Sequence, residues 1–411
     1  MNEFNKRKIL VAVTHRTPYG RLKPVMRAIQ NHPRLELQVI VGTPVFLHNL
    51  LFAMRHVSFN ALVASFPFYL RARLRALLWR GSAIDRHESL IKLIRQDGFP
   101  IHARLPLFLE GGNLVTMTKS IATGLLGFPE ILTRLKPDTV LIHADRFEML
   151  AAAVAASVMN IPVAHTQGGD VSGTIDETVR HAITKLAHIH FPTMEKSKER
   201  LLRRFEDPRY VFMVGCPTID VLKSLDLTIN PDIFERNGRG YGDSLDLSQH
   251  YLLVLQHPVT TEYKSAGEDF GETIAAIRKI AMPTLFFWPN VDAGWDRASV
   301  AVREFLKNPQ LPALRIFKTF SPEDFYRVLN AASVAVGNSS SFIREGSFLG
   351  TPAVIIGTRQ QGRERAENAM EVSNDWHEIE AAVRKQLKRG RFPSSNLYGD
   401  GRASERIAEV L

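Results

Sequence analysis

Eight short apolar runs, seven of them followed by a polar, glycine-rich or histidine-bearing cluster, constrain this chain more than any single motif. They are KILVAVT (8–14), LELQVIV (35–41), TVLIH (139–143), IPVAH (161–165), YLLVLQ (251–256), TLFFW (284–288), SVAVG (333–337) and AVIIG (353–357). Near-continuous apolar runs of this length suit strands covered on both faces, as in a parallel sheet. Between them lie stretches with helical periodicity, such as RFEMLAAAVAASVMN, IDETVRHAITKLAHI and SPEDFYRVLNAA. The alternation predicts an α/β chain of doubly wound, Rossmann-like domains. The series restarts near residue 250, and 411 residues exceed the roughly 250–300 at which one core stops growing. Two domains are expected, 1–213 and 214–411, with the last helix packing back on the first. EDPRYVFMVGCPTID reads as the crossing, and residues 230–246, rich in Asn, Gly and Asp, as a surface loop.

The clusters that follow the runs are HRTPYGR, DRFE, QGGDVSG, HPVT, NVDAG, NSSS and TRQQGR. In parallel α/β sheets the loops beyond the carboxyl ends of the strands form the ligand crevice. Both domains contribute such loops, so the expected active site is an interdomain cleft.

Three groups of residues in those loops could carry chemistry. In GNSSSFIREGSFLG a strand ends at Gly337, serines open a helix and Gly350 can close it. The free amides of such a helix start attract an anion, and Ser341 and Glu345, four apart, share a face that suits a nucleotide's hydroxyls. The plainer reading is a serine N-cap and a solvated glutamate. Asp145, Asp170 and Asp176 lie on successive loops and could supply general acid and base; the plainer reading pairs Asp145 with Arg146 or makes it a cap. Thr174 and Glu177 fit a T-x-x-E capping box, which gives Glu177 a structural task and leaves Asp176 for catalysis. Arg16, Arg21, Arg180 and His257 read as cations around the same crevice, able to meet a diphosphate. A lone histidine is often structural, and His143, His165 and His181 carry that reading too. Neither GxGxxG nor GxxxxGK[ST] occurs where a strand meets a helix, which argues against dinucleotide enzymes and P-loop NTPases. No metal-ligand spacing stands out, so a metal-free reaction is expected.

The net charge of +10 allows nucleic acid, an anionic membrane or a phosphorylated small molecule. The absence of zinc spacing, a helix-turn-helix signature or an aromatic RNA motif argues against nucleic acid. Cys216 is the sole cysteine and the start MNEFNKRKILVAVT has no signal-peptide character, so the reducing cytoplasm is expected.

Taken together, VLIHADRFEMLAAAVAASVMNIPVAHTQGGDVSGTIDETVRHAITKLAHIHF, HPVTTE, WPNVDAG and GNSSSFIREGSFLGTPAVIIGTRQQGR resemble the hydrolysing UDP-N-acetylglucosamine 2-epimerases of sialic acid and related nonulosonate synthesis. The resemblance implies the two-domain GT-B arrangement, a UDP-sugar substrate, no cofactor, and a homo-oligomer, dimer or tetramer. The implied reaction loses UDP to leave a glycal, then adds water to give N-acetylmannosamine. Asp145, Asp170 and Asp176 match the family's acids, Arg16 and His257 its diphosphate contacts, and Ser340, Ser341 and Glu345 its nucleotide contacts. His143, Arg146, Asn290, Gly337, Asn338, Ser339 and Arg359, in the same clusters, complete the expected substrate-binding set. Three positions depart from the pattern. The first loop is HRTPYGR where GTRADYG is usual, which puts Pro18 at its acidic position. Asp170 replaces a glutamate, and Gln167 a histidine or glutamate. These departures make a UDP-linked 2,4-diacetamido sugar, or another nucleotide sugar, the alternative substrate.

The segment 51–84, within an insertion at about 45–100, has five arginines and no acid. Its uncharged part, 57–70, is 14 residues, short of the roughly 20 that span a bilayer. It suits protein packing, with a weak membrane-surface contact as the alternative. Two other functions fit the same fold: a GT-B glycosyltransferase, and a nucleotide-sugar-binding protein without catalysis. The TIDETVRHAITK stretch favours the epimerase over the first, and retention of three acids over the second.

Overall fold

The computed structural model describes residues 6–45, 83–109, 113–290 and 292–411, the side chains of residues 16, 17 and 83–89 excepted. The segment read above at 51–84 lies, but for the backbone of its last two residues, outside the described residues, and so does the side chain of Arg16.

The first sheet comprises β1 (Arg7–Val13), β2 (Leu35–Pro44), β3 (Ala103–Phe108), β4 (Thr139–His143), β5 (Val163–Thr166) and β6 (Ile189–Phe191), in the order β3-β2-β1-β4-β5-β6. β1 runs parallel to both β2 and β4, and β2 to β3. The second sheet comprises β7 (Tyr241–Gly242), β8 (Leu252–Leu255), β9 (Thr284–Phe287), β10 (Leu314–Phe317), β11 (Val334–Gly337), β12 (Ala353–Ile356) and β13 (Ala369–Val372), in the order β13-β12-β11-β8-β9-β10-β7. All its pairings are parallel except that of β7 with β10. Short exposed β7 is part of the stretch expected to be a loop at 230–246, which also contains a helical turn, Ile233–Arg236. Its two residues carry no apolar pattern, and only their pairing with β10 makes them a strand.

The apolar runs become strands for the reason they were read as strands. In the second sheet Leu253, Leu285, Ala335, Ala353 and Ile355 face one core, while Leu252, Val254, Phe286, Val336, Val354 and Ile356 face another. Both faces are covered, and each fully buried aliphatic or phenylalanine side chain contributes about 1.5–3 kcal/mol. By packing, the chain divides into two compact units, Met1–His165 with Leu186–His188 and Leu411, and Thr166–Lys185 with Ile189–Val410. The Asp170–Asp176 loop and the helix Ile175–Leu186, up to Lys185, thus belong to the second unit. Among the described residues no helix is long and apolar enough to cross a membrane.

In each sheet the connection reverses direction once between neighbouring strands, at β1/β4 and at β8/β11. Loops diverge there and leave a crevice. At the second of these points Gly337 has φ 138°, and a Cβ on it would stand 2.1 Å from the carbonyl oxygen of Leu255. Neither atom is at the end of a flexible side chain, so the backbone must move. Gly337→Ala is therefore expected to cost roughly 1–3 kcal/mol, measured by denaturant unfolding; an unchanged midpoint would mean that β8 and β11 approach less closely than this.

Candidate active site

At the β8/β11 switch point a side chain ties the two strand ends together. The Asn338 amide donates to the carbonyl oxygen of His257 at 2.8 Å, and its Oδ1 accepts from the His257 backbone N–H, also at 2.8 Å. Asn338 is buried, and its own carbonyl oxygen accepts from Nε2 of Gln360 (3.0 Å) and from Arg359 (3.4 Å). The His257 ring is fixed in turn: Nδ1 accepts from the backbone N–H of Asn290 at 3.2 Å. That assignment leaves the proton on Nε2. Burial, and secondarily the Arg359 guanidinium, hold the imidazole well below its ordinary range. His257 is thus a neutral N–H donor, which corrects its reading as a cation.

The next loop opens the helix Ser340–Leu349. Ser339 caps it, its Oγ accepting from the Ser341 amide at 3.3 Å, and Gly350 closes it at φ 68°. The cap and the glycine stop are as expected. The solvated reading of Glu345 is wrong: the residue is 0% exposed, and neither carboxylate oxygen has a hydrogen-bond donor among the described residues. Arg344 lies 3.7 Å away, an ion pair too long to be a hydrogen bond, and donates instead to Oγ of Ser340 at 3.0 Å. Arg363 is buried as well, with Nε and one terminal nitrogen unmatched. Burial, then the charges of Arg363 and Arg344, press the pKa of fully buried Arg180 well down. Buried guanidiniums whose fields meet at Arg180 repel one another, and negative charge nearby would offset that cost.

The acid loop belongs to the same unit. Asp170 is buried, its Oδ1 accepting from Thr193 (2.9 Å) and Ser197 (2.8 Å), while its backbone carbonyl accepts from Arg180 (2.8 Å). Gln167 takes φ 63° and turns its amide towards Cys216 Sγ, 3.7 Å away. The capping box does not form as drawn. Thr174 Oγ1 accepts from the Asp176 amide (3.3 Å), and Glu177 reaches past it to the Ser172 amide (2.8 Å) with His181 beside its other oxygen (3.4 Å). Glu177 still has a structural task, that of holding the loop rather than the helix start. Gly173 seats the loop: its N–H donates to the Arg359 carbonyl (3.1 Å), and a Cβ would lie 1.9 Å from the Thr358 carbonyl oxygen. Half-buried Asp176 follows three residues later.

At the β1/β4 switch point of the first unit, half-buried Asp145 follows His143 and Ala144. Arg146 is engaged by Glu148 (3.2 Å) and lies 3.5 Å from His15, with its guanidinium over the Phe147 ring. Glu148 is wholly buried and also lies 3.5 Å from His15, whose ring packs on Phe108. The sequence reading passed over Glu148, His15, Arg344 and Arg363. For Glu148 a signal was there, the last residue of DRFE, but an acid near an arginine reads as a surface pair.

A family model described as UDP-N-acetylglucosamine 2-epimerase matches residues 84–411. The chain belongs to the UDP-N-acetylglucosamine 2-epimerase family. A UDP-N,N'-diacetylbacillosamine 2-epimerase (hydrolyzing) of Legionella pneumophila is 37% identical over 323 residues, 79% of this chain and 83% of that one. A UDP-N-acetylglucosamine 2-epimerase of Neisseria meningitidis is 28% identical over 409 residues, 98% and 95% of the two chains. The crystal structure of UDP-GlcNAc 2-epimerase from Neisseria meningitidis bound to UDP-GlcNAc superposes with a TM-score of 0.74 at 17% identity, covering 98% of this chain and 99% of that one. The last likeness shows the fold, two parallel-sheet α/β domains of GT-B type. The stretch matched by the epimerase family model contains all three candidate acids and the Asn338–Glu345 loop, whereas Arg16 lies before it.

The neutral state of His257 has a consequence for stability. Its folded pKa lies below the roughly 6.5 of an exposed imidazole, so the unfolded chain takes up the proton first as pH falls. The contribution is complete above about pH 6.5 and is lost as pH drops towards the folded value. Thermal melts from pH 8 to 5 should show His257→Gln losing less stability on acidification than the parent chain. His181, shifted the same way by burial and then Arg204, keeps its own share of the slope. Identical acid slopes for parent and variant would show that His257 is not held neutral.

Proposed function

We propose that this chain is a hydrolysing 2-epimerase of a UDP-linked 2-acetamido sugar, releasing UDP and the free 2-epimerised sugar in the cytoplasm. The observation that carries the reading is Glu345. A fully buried carboxylate without a donor is costly unless a ligand supplies one. Arg344 lies 3.7 Å from it and reaches Ser340 at the helix start, and Arg344 and Arg363 both act on Arg180. A molecule carrying vicinal hydroxyls and a diphosphate answers both needs, hydroxyls to Glu345 and phosphates to the cations.

In the proposed reaction a base removes the proton at C2 while the C1–O bond breaks and its electron pair leaves with UDP. The resulting glycal takes up water at C1, and a proton returns to C2 from the other face. Asp145 and Asp176 are assigned the proton transfers. Asp170, whose hydroxyl partners already fix it, is assigned to the same acid set with its charge set against the arginines. His257 donates Nε2–H to the leaving diphosphate without adding charge. Of the two sugars named by the relatives, the 2,4-diacetamido compound is favoured, because the 37% relative acts on it by name and the 28% relative does not. Gln167 and Asp170, which depart from the N-acetylglucosamine pattern, point the same way.

Purified protein incubated with UDP-N,N'-diacetylbacillosamine or UDP-N-acetylglucosamine, with neither acceptor nor metal added, should release UDP and a 2-epimerised sugar. In deuterated water that sugar should carry deuterium at C2. UDP release only on addition of an acceptor would make the chain a glycosyltransferase instead. Glu345→Gln should weaken UDP binding about ten- to a hundredfold, the value of a charge-assisted hydrogen bond or two, with a smaller effect on turnover at saturation. Calorimetry with UDP reads the first and saturating kinetics the second; an unchanged UDP affinity removes Glu345 from the nucleotide site.

A further inference from the structure

The turn that delivers Asp145 is held in an unfavourable shape. β4 ends at His143, and Ala144 leaves the sheet with φ 60°, in the left-handed region that favours glycine. An L-residue held there costs about 1–2 kcal/mol, and persists only where its surroundings over-determine it. One such constraint is explicit: Nε2 of His165 lies 2.7 Å from the Ala144 carbonyl oxygen, and both residues are almost wholly buried. A carbonyl can only accept, so the imidazole carries its proton on Nε2. His165 stands on β5, beside β4 in the sheet, so a side chain holds a backbone group where the strand ladder has ended.

We propose that His165 is a positioning residue for catalysis. Its Nε2–H fixes the Ala144 carbonyl, thereby the left-handed turn, and so gives the carboxylate of Asp145, the next residue, one orientation for proton transfer. The proposal rests on the acid–base role assigned to Asp145 above. Glycine at 144 would take the same φ without cost but would also be free to leave it; an alanine clamped by a buried donor is stiffer.

The test uses the full chain and four variants. His165→Phe keeps an aromatic ring without the donor, and should lower kcat about a hundredfold while the UDP dissociation constant stays within about threefold. His165→Gln, which regains an N–H donor, should recover at least about a tenth of the parent rate. In single-turnover assays on Asp145→Asn, adding His165→Phe should slow the residual rate by no more than about threefold, because both changes act through one group. Amide hydrogen exchange at Asp145 and Arg146, read without substrate, should quicken in His165→Phe and slow again in His165→Gln. Equal losses in the Phe and Gln variants, additive losses with Asp145→Asn, or unchanged exchange would overturn the proposal. Should the parent chain release no UDP from either sugar, the functional reading fails by itself, and the exchange measurement still decides whether His165 holds the turn.

Discussion

The two hydrogen bonds between the Asn338 side chain and the His257 backbone are the constraint on which the second unit's site depends. They close, at 2.8 Å each, the gap that opens between β8 and β11 where the strand order reverses. A side-chain amide can donate and accept at once with this spacing, and here both functions are used on backbone. The consequences spread outward. The Asn338 carbonyl anchors Gln360 and Arg359, the Arg359 carbonyl receives Gly173, and Gly173 seats the loop that leads to Asp176. One buried side chain therefore sets His257 and, through three successive contacts, the start of an acid-bearing helix.

Charge is distributed around that frame with a division of labour. The cations of the interior are arginines, and buried Arg180 feels the fields of both Arg363 and Arg344. The histidine at the switch point is kept neutral by burial and by Arg359. A neutral donor gains over a cation here because it adds no repulsion against Arg359 in a buried setting. Asp170 and Glu345 offset part of that excess, and together they help hold the Arg344 guanidinium charged against the cost of burial.

Much of this was legible in the sequence, because burial on both faces leaves continuous apolar runs. All eight runs became strands. β3, β6, β7, β10 and β13 were missed: ARLPLF is interrupted by Pro106, LRIF and AMEV carry charges, IHF is three residues long and β7 only two. The cap at Ser339 and the stop at Gly350 were legible because each is a local requirement of the backbone. Glu345 was legible as a candidate but not as a buried one, since burial of a carboxylate depends on residues distant in sequence. The capping box failed for a similar reason. Thr174 and Glu177 have the right spacing, but a loop that must press against Thr358 brings the Ser172 amide within reach of Glu177 first.

The departures of this chain from the expected pattern are of two physical kinds. Gln167 sits in the left-handed region with its amide against Cys216, so a carboxylate there would face a buried thiol and lose what solvation it had. A neutral amide is the side chain that this interior tolerates. Asp170, shorter by one methylene than glutamate, is reached by two hydroxyls, Thr193 and Ser197, and by the field of Arg200 and Arg344. A longer side chain would displace that pair of hydroxyls. The two positions therefore differ in kind: 167 holds a neutral amide against Cys216, and 170 holds a carboxylate fixed by two hydroxyls beside the arginines rather than in solvent.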